Sequence, residues 1–165
     1  MAAQMHRRPT ITSGSFDAKG ALKAARGYHS TAMLLERIQQ ETIKQGATLT
    51  ADTLNETMGR VLSSTVLEAL ALELVLKVKL DQAGIKIPRT HDQAALFAKL
   101  PAPEQQQAGR RYQTSRHPAM RATIEEVLAF SADAFERWRY SHEHQQVEAS
   151  MGEMQRAFNA LVHGL

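Results

Sequence analysis

The 165-residue chain has no cysteine, which excludes a disulfide framework, thiolate zinc sites and a cysteine nucleophile. A thiol-free composition suits a reducing cytoplasm, the expected location. No apolar run approaches the roughly 18 residues of a membrane helix, so no membrane partner is expected. The N-terminal Met1-Ala2-Ala3-Gln4-Met5-His6-Arg7-Arg8 lacks the apolar core of a secretory signal. There is no glycine-rich phosphate loop, no dinucleotide fingerprint, no G-x-S-x-G nucleophile turn and no H-E-x-x-H. The expectation is a protein without cofactor. Apolar and polar residues nowhere alternate over five positions between turn signals, which argues against strands.

What the chain does have is an uneven charge. The formal net charge is only +3, but it is divided by sign along the sequence. Residues 1–26 carry Arg7, Arg8, Lys19, Lys23 and Arg26 against Asp17 alone, and 104–121 carry Arg110, Arg111, Arg116 and Arg121 against Glu104. Residues 122–153 set seven acids against Arg137 and Arg139. The two basic stretches could neutralise phosphates, with Arg110, Arg111 and Arg116 as candidate RNA contacts. The plainer reading is that these arginines solvate helix faces.

The length corresponds to one domain. Residues 1–17 read as a basic arm or extended lead-in, and 18–165 as a single helical domain. From Leu22, apolar residues recur every three or four positions through Ala25, Tyr28, Ala32, Leu35 and Ile38, with Gly46 as the stop. A second helix is expected over 51–82, bent or broken at Gly59 or Ser63-Ser64, and Gly84 should cap it. Thr90 with Gln93, Thr123 with Glu126, and Ser150 with Glu153 are spaced as capping boxes that open later helices. The first of these opens a short helix burying Leu96 and Phe97. Pro101 and Pro103 end that helix, and a polar one follows from Glu104 to Tyr112. The expected fold is an all-α bundle.

Two places carry candidate chemistry. Glu73 falls on the apolar row Val66, Leu70, Leu76, Leu80, where a carboxylate is costly unless paired. Lys77, one turn on, gives the favourable Glu-then-Lys polarity, so the two could form a pair at the edge of the buried stripe. Alternatively Glu73 orients an arginine from another helix. The second place is Phe135-Glu136-Arg137-Trp138-Arg139-Tyr140-Ser141-His142-Glu143-His144. RNA cleavage without a metal needs a base for the 2′-hydroxyl proton and a fixed cation for the phosphoryl oxygens, which histidine and arginine supply. On a continuous helix, Arg139 and His142 share a face, as do Arg137 and His144. Arg137–His142 and Arg139–His144 converge only if the helix breaks between them. His142 and His144 would point about 200° apart on a helix, so no metal site is expected there. The plainer reading ties Arg137 and Arg139 to Glu136 or Glu143.

Two blocks resemble the HEPN superfamily, the higher eukaryote and prokaryote nucleotide-binding helical domain. One is Leu72-Glu73-Leu74-Val75-Leu76-Lys77-Val78-Lys79-Leu80, followed by Gly84 and Pro88-Arg89-Thr90-His91-Asp92. The other is Phe135 to Glu143 with its Trp-Arg-Tyr centre. Together they span roughly residues 66–162. The resemblance implies a four- to five-helix up-and-down bundle that forms a twofold homodimer. Nuclease members of the superfamily carry an Arg, four to six residues, then a His. That pattern places the Arg at Arg137 or Arg139 and the His at His142 or His144, with Glu73 and Glu143 in support. Arg111–His117 fits the bare spacing but lies too early. The implied activity is metal-independent endonucleolytic cleavage of single-stranded RNA, of a toxin or antiviral-defence type, with an antitoxin or other protein as a possible partner. Trp138 and Tyr140 stand where active members often have a polar residue, and the tyrosine often found two past the His is absent. These departures, with the acidic setting, keep open an alternative: a catalytically silent helical module for dimerisation and protein interaction.

Overall fold

The computed structural model describes residues 16–44, 50–115, 122–132 and 151–165. These residues contain six helices and no strand: α1 (Ala18–Lys44), α2 (Ala51–Gln82), α3 (Gln93–Phe97), α4 (Ala102–Ser115), α5 (Ile124–Ala132) and α6 (Met151–Val162). The all-α class is therefore as expected. The described helices outnumber the four or five implied, because the five-residue α3 counts as its own element.

Local chemistry explains most of the boundaries. Asp17 Oδ1 accepts the Gly20 amide at 2.9 Å, satisfying a free N–H at the start of α1. Thr50 and Thr53 cap α2 reciprocally. The helix then continues through Gly59 and Ser63-Ser64 without a break. The Ser64 and Thr65 hydroxyls both donate back to the Val61 carbonyl, so the polar pair is absorbed within the helix. At the other end Gly84 takes φ +68. Its amide bonds Asp81 O, and that of Ile85 bonds Leu80 O at 2.9 Å, the paired pattern of a Schellman turn. An extended connector, 85–92, then leads back to α3. Gly46 lies outside the described residues.

Two of the expected caps are corrected or lie partly out of view. Asp92, not Thr90, caps α3, its Oδ1 accepting the Ala95 amide at 2.9 Å. Thr90 Oγ1 instead accepts the Asp92 amide, and Gln93 is buried elsewhere. Thr123 and Glu126 do form the reciprocal box of α5. Ser150 lies outside the described residues, while Glu153 is buried and engaged by Tyr112 and Arg156. Pro103 sits in the first turn of α4, where its missing N–H costs nothing, so α4 begins earlier than Glu104.

The long helices α1 and α2 pack along each other. Their register is antiparallel: His29 meets Glu68, and Thr42 meets Arg60. Below Ser64, α2 is the central element of the core. Leu72, Val75, Leu76 and Leu80 pack with Leu96, Phe97, Tyr112, Leu128, Met154, Phe158 and Leu161. Each such side chain contributes about 1.5–3 kcal/mol on burial. Above that level α1 and α2 continue as a two-helix arm. On it Leu34, Ile38, Ile43, Leu54 and Met58 are exposed. Leu34 with Ile38 and Leu54 with Met58 are each spaced one turn apart on their helix, and all are exposed among the described residues. No helix of the described residues is long and apolar enough to cross a membrane.

Candidate functional site

Two carboxylate–imidazole pairs branch from α2, five residues apart. Glu73 is nearly buried, its side chain 10% exposed, and its Oε1 lies 2.6 Å from Lys77 Nζ one turn on. The Glu73–Lys77 pair expected at the edge of the apolar stripe is thus present. The second partner is His91 on the connector, whose Nδ1 lies 3.1 Å from Oε1 and 3.0 Å from Oε2. Among the described residues Glu73 bonds no arginine.

The His91 ring itself is open, its side chain 87% exposed. A carboxylate that already accepts from Lys77 accepts from His91 too, so Nδ1 carries the proton of this bond. That fixes the neutral ring in the tautomer with Nε2 bare, and Nε2 projects from the anchored edge toward solvent. This is how a carboxylate prepares an imidazole to take a proton. Behind it, Gln93 pins the connector to the core. Its Nε2 donates to Ala69 O at 2.7 Å, and its Oε1 accepts from the Ser131 hydroxyl of α5.

The other pair is sealed. Glu68 is fully buried, and His29 Nδ1 of α1 lies 2.9 and 3.0 Å from its two oxygens. The His29 ring stacks on Phe158 of α6, with centroids 4.1 Å apart. Burial pushes the Glu68 carboxyl above its ordinary value, and the nearby Glu36 adds to that, while the bond and charge of His29 pull it back. Three helices meet there with no room for a substrate.

Sequence reasoning singled out Glu73 and Lys77 but assigned His91 no role. Its place in Thr90-His91-Asp92 was visible, but its pairing depends on where the turn at Gly84 returns the chain. Arg137, Arg139, His142, His144 and Glu143 lie outside the described residues, as does Arg116. Arg110 is exposed on α4 and lines a shallow cleft of about 360 Å³ between α4 and α5, facing Glu125 among neutral residues. Arg111 donates to the His163 carbonyl at 3.2 Å and so ties α4 to the end of α6. Among the described residues no three His, Asp or Glu side chains are grouped to hold a metal ion.

Comparison with family models, with curated proteins and with solved structures gives no match.

Proposed function

We propose that the chain is a HEPN-like domain that cleaves single-stranded RNA without a metal. It would act within a homodimer and in a toxin or defence setting. One observation supports this beyond the resemblance. The Glu73 and His91 ends of the first resembling block meet to present an anchored imidazole at the surface. An Arg/His pair drawn from Arg137, Arg139, His142 and His144 would supply the phosphate cation and proton transfer, and Arg110 a phosphate contact. The expected product is a 2′,3′-cyclic phosphate. In the test, purified protein is incubated with single-stranded RNA in EDTA, beside a double variant, His142→Ala with His144→Ala. Cleavage should fall by two orders of magnitude or more; equal cleavage by both proteins defeats the reading.

A second reading, the silent interaction module, is favoured by the exposed apolar side chains of the α1–α2 arm. Exposed apolar side chains of this kind mark a surface open to association. On this reading the protein pairs through Leu34, Ile38, Leu54 and Met58, and a Leu34→Asp, Leu54→Asp variant becomes monomeric in light scattering. RNA is then left intact by wild type and variant alike.

A further inference from the structure

The Arg–x–His pattern leaves His91 out, yet among the described residues its geometry is the one best suited to receive a proton. We propose that His91 Nε2 is the proton acceptor for the 2′-hydroxyl of a bound RNA phosphodiester, with Glu73 as its positioning residue. The inference rests on the ribonuclease reading above and adds a third imidazole to it.

Three features carry the assignment. First, Nδ1 is held by both oxygens of a carboxylate that is itself nearly buried and fixed by Lys77. The ring therefore needs no reorientation when it reacts, and the growing imidazolium charge falls beside an anion. Second, the ring is exposed while its anchor is not. A structural histidine would be expected to bury its apolar edge, as His29 does against Phe158. Third, the connector that carries it is basic on its open side. Lys86 and Arg89 are exposed there, with Asp92 committed to capping α3. Exposed cations on the connector favour the approach of a polyanion to it.

The step balances. O2′ gives its proton to Nε2 of His91 and attacks phosphorus as the P–O5′ bond breaks. O5′ leaves with a proton from the imidazolium of the Arg/His pair (His142 or His144), giving a 2′,3′-cyclic phosphate and a 5′-hydroxyl. His91 then returns its proton to water. No oxidant, reductant or second substrate is consumed.

The test compares wild type, His91→Ala, Glu73→Gln and the His142→Ala, His144→Ala double variant on single-stranded RNA in EDTA. His91→Ala should lower kcat about 100-fold or more with KM little changed, and added free imidazole should restore part of the lost rate. Glu73→Gln should fall in between and shift the tautomer ratio of the His91 ring in 15N NMR. A merely structural histidine would show neither imidazole rescue nor that split between kcat and KM. Cleavage by wild type that disappears in the double variant but persists in His91→Ala overturns this proposal and leaves the ribonuclease reading standing. Absence of cleavage by wild type overturns both.

Discussion

Glu68–His29 and Glu73–His91 pair the same two side-chain types, built five residues apart on one helix; Glu73 has Lys77 as a further partner, and the two differ sharply in what lies over the imidazole. Above His29 is Phe158, and the histidine side chain is 17% exposed; above His91 there is solvent, at 87%. In the closed pair the bond satisfies a carboxylate that would otherwise be stranded in the core, so its value is stability. In the open pair neither the core nor the packing depends on the ring. A histidine held that firmly at no structural gain is available for chemistry.

The largest effect should separate the two pairs at once. His29→Ala removes the partner of a fully buried carboxylate and its stack on Phe158, and should cost about 3–5 kcal/mol, read from urea unfolding monitored by circular dichroism. His91→Ala, in contrast, should leave stability within about 0.5 kcal/mol. Comparable losses from both would erase the distinction. A middle-sized effect concerns pH. Because burial raises the folded carboxyl of Glu68 above its ordinary value of 4.5, the folded state holds this proton longer than the unfolded chain does. Its contribution is complete below about pH 4.5 and is lost as pH rises through the raised value. His29 and Glu36 face the same carboxyl and remain in both proteins compared. Glu68→Gln should therefore become more stable relative to wild type as pH increases over that window, and a difference independent of pH would count against the burial argument. A smaller effect than that of His29→Ala is expected at Glu73→Gln, where Lys77 and His91 can still be bonded by the amide oxygen. A loss near 1 kcal/mol is expected, as a thermal melt would show.

How far these features were legible in the sequence depended on their range. The 51–82 helix, the glycine stop at 84 and the Thr123–Glu126 box were readable because each is decided by residues within one or two turns. Glu73 stood out because a carboxylate in an apolar row is locally anomalous, and Lys77 was its nearest remedy. His91 and Gln93 were misjudged for the opposite reason. Thr90 and Gln93 have the spacing of a capping box, but burial of Gln93 against Ala69 O and Ser131 outcompeted the local bond, leaving Asp92 to cap. The exposed arm was misleading in another way. Ile38, Leu54 and Met58 keep helical period, but periodicity reports that a face is apolar, not that anything in the chain covers it. Glu68 and His29 gave no signal, since their 39-residue separation is bridged only by the antiparallel hairpin.

The Schellman turn at Gly84 acts as a gauge of chain length. From Glu73 to the turn, α2 advances about 16 Å at 1.5 Å per residue. Fully extended, the chain back to His91 could cover at most about 25 Å, enough to return to the same carboxylate. On the way Ile85 and Ile87 pack against the core and the Thr90 hydroxyl accepts the Asp92 amide, so the connector is seated along its course, and adding or removing one residue between those seats displaces the ring by about 3 Å. The dyad is thus encoded both by the number of residues in the connector and by the side chains that seat it on the core.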